Sequence, residues 1–253
     1  DNINQVEVAV FDSKGDFVMR KTITKTELNT YQGVRLTLDP GQYRLVCWGN
    51  VNEQVIYPDL AGKNINDVLL NHVDWGKGVS ENGAQLFYAP YIKDITKPEL
   101  DVFTIRVLDD KSVFSETLNF TAAYNTLEVY VENALGTPTI EVSNLAGKYT
   151  FDMLPTLLEM TYQQTSHALT TSEGEQLGAV FYIPQFLKDN DIMVTLTIGD
   201  SVWEINLNDF LETNKITTNP TVHNLIRIQV SYINGEITVT VPHWDNKPVT
   251  PEI

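Results

Sequence analysis

The sequence predicts an all-β protein made of two β-sandwich domains in tandem, with one or two short helices. Three observations carry that expectation. Most segments alternate apolar and polar residues with period 2, as a strand with one buried face must. Clusters of Gly, Asn, Asp and Pro interrupt them at short intervals, the spacing of turns between short strands. The chain has 253 residues, a length that suits two ordinary sandwiches better than one.

The elements follow in order. Val6, Val8 and Val10 share one face, with Glu7, Ala9 and Phe11 opposite. Ser13-Lys14-Gly15-Asp16 turns the chain into a second strand from Phe17 to about Ile23. Gly33 to Leu38 and Tyr43 to Trp48 read as the next pair, joined by a tight Pro40-Gly41 turn. Proline pre-sets φ at the first central position, and glycine accepts a positive φ at the second. Tyr43, Leu45 and Cys47 then face one way, and Arg44, Val46 and Trp48 the other. Ile65, Val68, Leu69 and His72 fall at helical spacing behind a capping Asn64, so Asn64 to His72 reads as a short helix.

A long connection rich in Gly, Asn and Pro runs from Gly76 to Pro98 and contains Phe87-Tyr88-Ala89-Pro90-Tyr91. Strands resume from Val102 to Leu108, and Asp109 to Ser112 can turn the chain back. The domain boundary is placed here. It gives an N-terminal sandwich over 1–112, a C-terminal sandwich over 113–247 and an extended tail over 248–253. In the second half, Leu127, Val129 and Val131 alternate with Glu128, Tyr130 and Glu132. Further strands are expected at 139–142, 179–183 and 192–198. Gly199-Asp200 is a two-residue hairpin turn into Ser201 to Leu207, and 208–211 reads as a brief helix. Ile226, Ile228, Val230 and Tyr232 alternate up to Asn234-Gly235, and Ile237, Val239 and Val241 return. Asn-Gly between alternating strands is the strongest hairpin signal in the chain. Trp244 is expected to pack at the end of that strand, and Pro248 and Pro251 keep the tail extended.

Composition excludes several functions. The chain is 42% hydrophobic with a formal net charge of −16. A nucleic-acid partner needs clustered Lys and Arg, and adsorption to an anionic membrane needs them too. Cys47 is the only cysteine, so no intramolecular disulfide or thiolate cage exists. Within an apolar strand it reads as a small buried hydrophobe. No run approaches the ~18 apolar residues of a spanning helix. The chain opens at Asp1 without methionine, so the lack of a leader carries no information.

No catalytic, cofactor or metal residues emerge. His72, His167, His223 and His243 lack metal-ligand spacing with one another or with Cys47. There is no Gly-x-Ser-x-Gly elbow. Gly76-Lys77-Gly78-Val79-Ser80 lacks the strand and the Lys-Ser/Thr pair of a phosphate loop. Asp189-Asn190-Asp191 lacks the remaining ligands of a calcium loop, and it reads as a solvated turn, as does Asp109-Asp110. The 33 acidic residues offer too many pairs to pick out two glycosidase carboxylates. Trp48, Trp75, Tyr88, Tyr91 and Trp203 are candidate sugar-stacking aromatics, with Trp75 the best placed for exposure. The competing expectation for each is a core or cross-strand role.

Four stretches resemble the fimbrillin-associated anchor and assembly proteins of Bacteroidales type V fimbriae. They are Val6 to Gly15, Leu38 to Asn50, Leu86-Phe87-Tyr88, and Ile226 through the Asn-Gly hairpin to Asp245. Their order and spacing span nearly the whole chain. The resemblance implies transthyretin-like, Greek-key sandwiches in an exported protein of the outer membrane and fimbrium. It also implies a non-enzymatic anchor or accessory role, with fimbrial subunits of the same pilus as partners and strand-mediated contacts between them. Any membrane attachment would then run through a lipidated cysteine upstream of Asp1, since Cys47 is internal. The alternative is an adhesin or glycan-binding tip subunit on the same scaffold, with host or bacterial surface ligands. A surface glycosidase is a third, less supported reading. The sequence names no partner-binding residues.

Overall fold

The computed structural model describes residues 3–31, 33–51, 55–56, 58–89, 91–92, 100–101, 103–109, 117–151, 155–186, 190–219 and 222–243. Among the described residues the chain is all-β with two short α-helices. In the first half the elements are β1 (Gln5–Asp12), β2 (Phe17–Thr24), α1 (Lys25–Tyr31), β3 (Gly41–Gly49), β4 (Val55–Ile56), β5 (Leu69–His72), β6 (Val79–Ser80), β7 (Phe87–Tyr88), β8 (Tyr91–Ile92), β9 (Leu100–Asp101) and β10 (Phe103–Val107). The second half has β11 (Thr121–Ala122), β12 (Tyr124–Glu132), β13 (Thr139–Thr150), β14 (Pro155–Thr165), β15 (His167–Thr171), β16 (Gly174–Pro184), β17 (Met193–Ile198), β18 (Ser201–Asn206), α2 (Leu207–Thr213), β19 (Leu225–Ile233) and β20 (Glu236–Thr240).

The N-terminal sheet runs β11-β7-β3-β1-β2, and β10 also pairs with β3. The alternation seen in the sequence sorts this sheet into two packed faces. Val6, Val8, Val10, Tyr43, Leu45 and Cys47 form one cluster, closed by Leu28 of α1 and by Val34, Leu36, Leu38, Leu118 and Phe120. Ala9, Phe11, Val46 and Trp48 form the other, closed by Ile65, Val68, Leu70, Leu86 and Tyr149. Burying side chains the size of Val46, Leu70 and Leu86 is worth about 1.5–3 kcal/mol each. Trp48 lies between Tyr88 and Tyr149, with ring centroids 5.1 and 5.7 Å away. On that face Glu7 is buried. It accepts from Arg20 Nε at 2.7 Å, Thr22 Oγ1 at 2.8 Å and Gln5 Nε2 at 2.9 Å, so its burial is matched by donors.

The C-terminal unit stacks two sheets. One runs β15-β16-β12-β19-β20, with β12 and β19 parallel. The other runs β18-β17-β13-β14-β6, with the β4–β5 pair laid against the end of β13. Their inner faces enclose one core that includes Leu127, Val129, Ile140, Val142, Phe181, Val194, Leu196, Ile226 and Ile228. The expected boundary near residue 112 lies outside the described residues. The two units exchange strands across it: β5 and β6 join a C-terminal sheet, and β11 joins the N-terminal one.

Three expectations need correction. Pro40-Gly41 is not a tight hairpin turn, because Gly41 begins β3 without a positive φ and 34–39 form no ladder. Val34, Leu36 and Leu38 do alternate, but they pack as an extended cover over the sheet. Tyr43 Oη donates to the carbonyl of Asp39 at 2.8 Å, and this bond fixes the corner that Pro-Gly was expected to make. The helix over 64–72 shrinks to one 3₁₀ turn, Ile65–Asp67, capped by Asn64. From there Val68, Leu70 and His72 bury every second side chain, and pairing with β13 holds the segment extended. The connection from Gly76 to Pro98 carries paired strands, since β6 joins β14 and β7 joins both β3 and β11. The expectations for Trp244 and for the 248–253 tail fall outside the described residues.

Candidate partner-binding edge

The two flanks of the C-terminal sandwich are built differently. On the β15–β6 side, β16 continues past β15, which pairs only with Gly174 to Gly178. The main chain beyond is capped by side chains. Asn82 Nδ2 donates to Val180 O at 3.0 Å, and its Oδ1 accepts from Tyr182 N at 2.7 Å. Gln164 Nε2 from β14 donates to the same Val180 carbonyl at 2.8 Å. Gly83 lets the 82–83 segment come this close, because a Cβ there would sit 2.2 Å from Tyr182 O. His72 supports the segment: its Nε2 meets Asn82 O at 3.2 Å, and its Nδ1 accepts from Asp74 N at 3.1 Å. Those bonds fix the neutral Nε2–H tautomer, and burial pushes the His72 pKa below the usual histidine value.

The opposite flank ends in two edge strands, β18 and β20, and among the described residues no strand pairs with their outer sides. Two-residue turns create both. Gly199 alone has positive φ in the β17–β18 turn, a type II′ geometry, whereas Asn234 and Gly235 both do, a type I′ geometry. The residues flanking such a turn form a hydrogen-bonded pair and the pairs then alternate. In the observed register the amides of Ile237 and Val239 therefore point away from β19, and those of Val202 and Glu204 away from β17. Between the edges, Trp203 meets Tyr232 edge-on at 5.5 Å. Ile237, Val239 and Val241 pack on the core while staying half-buried. Val202 and Ile233 are each 58% exposed. This flank offers free main-chain groups beside apolar side chains, the combination that strand addition uses.

The residues singled out from the sequence are dispersed. Cys47 is fully buried, and desolvation pushes its thiol up to about 12. His167 is exposed, His223 Nε2 lies 2.9 Å from Thr126 Oγ1, and His243 Nε2 lies 2.7 Å from Glu173 Oε2. Among the described residues no three His, Cys, Asp or Glu side chains gather as metal ligands. Lys77 closes a turn with Asp74. Asp189 and Asp110 lie outside the described residues. Asp191 and Asn190 accept from Asn206, Asn144 and Asn208, which ties that loop to α2 and β13.

Of the aromatics, Trp48 and Tyr88 are core, and the Tyr91 side chain is outside the described residues. Trp75 was expected to be the most exposed. It instead packs on the C-terminal core under Lys148, whose Nζ is 4.8 Å from the ring centroid. Trp203 is half-buried, at the edge just described. The alternation of residues 226–241 made both strands legible, but no local pattern could show that β18 and β20 end up as neighbouring edges.

Fold and edges define a β-sandwich protein in which β18 and β20, among the described residues, lack an outer partner strand. The chain matches the fimbrillin-A associated anchor proteins Mfa1 and Mfa2 over residues 1–247, and it belongs to that family. Its fold is similar to that of three solved proteins. A candidate polysaccharide-binding protein of Bacteroides thetaiotaomicron has a TM-score of 0.70 at 14% identity, covering 95% of this chain and 91% of that one. A candidate adhesin of Bacteroides ovatus gives 0.69 at 14% identity, with 96% and 87% covered. The fimbrial anchor protein Mfa2 of Porphyromonas gingivalis gives 0.62 at 16% identity, with 94% and 87% covered. No curated protein sequence matches the chain. The family is one of structural fimbrial proteins, so the chain is a structural fimbrial subunit of the cell surface.

Proposed function

We propose that the protein is a non-catalytic anchor or accessory subunit that holds a neighbouring fimbrial subunit by strand addition at the β18–β20 flank. The observation that carries this reading is the contrast between flanks: on one, side-chain amides cap the β16 main chain where β15 leaves off, and on the other, two edge strands flank Trp203, Ile237 and Val239. Main-chain bonds to an edge supply affinity, and alternate side chains entering the seam set the register. The reading places the protein at the outer membrane, attached through a lipidated cysteine upstream of Asp1. Intact mass and fractionation from the native cell test that attachment.

The edge is tested with Val239→Pro, which removes an amide aimed at the partner and leaves the β19 ladder intact. Val202→Lys places a charge on the second edge as an independent disruption. Both variants should stay folded by circular dichroism and stop co-purifying with sheared fimbriae. Normal recovery of either folded variant with fimbriae contradicts the assignment of that edge.

A further inference from the structure

Where the two units meet, a cleft of about 310 Å³ opens between the start of β1, the end of β3 and the 82–85 segment. Its volume is at the small end of ligand sites, which run from roughly 300 to 1,000 Å³. Asn4, Gln5, Asn50, Asn82, Gln85 and Tyr182 line it, and among the described residues no charged side chain does. That is unexpected in a chain with net charge −16.

The hydrogen bonds divide these side chains into a frame and a free set. Asn50 Oδ1 accepts from Asn4 N at 2.7 Å, and its Nδ2 donates to Gln85 O at 3.2 Å. Asn82 is used up on Val180, Tyr182 and Gly83. These two hold the walls. Gln5 spends its Nε2 on Glu7 and Val51, which leaves its carbonyl oxygen as an acceptor. Asn4 Oδ1 accepts from Lys25, which leaves its Nδ2 as a donor. The Gln85 carboxamide and the Tyr182 hydroxyl bond to no described residue, so each can both give and accept.

We propose that this cleft binds a neutral saccharide. Hydroxyl-rich, uncharged rings offer donors and acceptors together, which matches this free set, and the Tyr182 ring supplies an apolar wall with a polar tip. An extended peptide fits less well, because the β16 main chain beside the cleft is already capped by Asn82 and Gln164. Specificity for neutral ligands follows from the uncharged lining.

The test titrates the whole chain with neutral mannose-, galactose- and N-acetylglucosamine-containing oligosaccharides, with a sialylated oligosaccharide and an extended hydrophobic peptide alongside. The readout is the side-chain amide resonances of Asn4, Gln5 and Gln85. A neutral probe should shift these resonances, and Gln85→Ala and Tyr182→Phe should each weaken it about tenfold, the loss of about one or two hydrogen bonds. Tyr182→Phe keeps the ring edge-on to Tyr124 at 5.8 Å, so the fold is not at issue. The proposal is overturned if no neutral probe binds, or if binding leaves these resonances or both variants unaffected. Equal or tighter binding of the sialylated probe or the peptide in the cleft also overturns it. Fimbrial co-purification of the two variants should be unchanged, which separates this site from the β18–β20 edge.

Discussion

Asn82 and Gln164 cap the β16 main chain beyond β15 on one flank of the C-terminal sandwich, while Trp203 and Tyr232 meet ring to ring across the other. Both flanks belong to the same two sheets and the same core, yet only on the first do side chains cap main-chain groups beyond an edge strand among the described residues. On the closed flank, a carboxamide occupies the position an incoming strand would take, with one donor and one acceptor satisfied at once. On the open flank, short turns end the sheets at β18 and β20, and half-buried aliphatic side chains sit where a partner could cover them. Natural sheets ordinarily blunt such edges with charge or proline. Glu204 and Glu236 supply some charge here, but Val202 and Ile233 do not. On the proposed reading, the difference marks the flank where a partner strand adds.

The largest effect should come from Asn82→Ala. It removes three bonds around a buried main chain, and a cost of about 2–4 kcal/mol is expected in denaturant unfolding. The closed flank should then become a second strand-accepting edge, seen as new self-association by light scattering. Loss of stability without any association would mean that the stitch is structural only.

Trp203→Ala should cost less, about 1–3 kcal/mol, because the ring is only half-buried. It should nevertheless reduce co-assembly with fimbriae more than Asn82→Ala does. The reverse order would break the comparison. Gly235→Ala sharpens it further. Gly235 sits at φ 89° in the turn that builds β20, and an alanine there costs about 1–2 kcal/mol. Backbone amide exchange should rise in β20 and stay unchanged in β15.

The smallest effect is a pH dependence from the closed flank. Burial holds His72 below its ordinary value of 6.5, against the opposing pull of its hydrogen bond to the Asn82 carbonyl and of Asp74, and with help from Lys77. The unfolded chain therefore binds the proton more readily. Stability from this group is complete above about pH 6.5 and falls as pH drops through the depressed folded value. Melting temperature should decline between pH 7.5 and 5, and His72→Gln should flatten that decline. An unchanged slope in the variant would move the effect to other groups.

Much of the scaffold could be read along the chain. Alternation identified the two faces of β1 and β3, and Asn234-Gly235 identified the β19–β20 hairpin, because both signals are local. Other local signals are present, and tertiary pairing overrides some of them. Thr24-Lys25-Thr26-Glu27 is a reciprocal helix cap, with Thr24 N donating to Glu27 Oε2 at 2.8 Å, and it starts α1 where only a strand end was expected. Val68, Leu70 and His72 carried a period-2 pattern beneath the helical spacing, and pairing with β13 decided between them. The stitch by Asn82 was not legible at all. Its partners lie about a hundred residues away in sequence, and an isolated Asn-Gly step in a glycine-rich stretch looks like any turn. The amide-lined cleft was hidden for the same reason, since it joins Asn4 to Gln85 and Tyr182 through the fold.

The most direct test of the account is backbone hydrogen exchange on the free protein and on the protein within assembled fimbriae. The account predicts that amides in Ser201–Asn206 and Glu236–Thr240 become protected on assembly, while those in His167–Thr171 exchange as before. Protection of His167–Thr171, or of the N-terminal edge at Phe17–Thr24, with β18 and β20 unchanged, would contradict it.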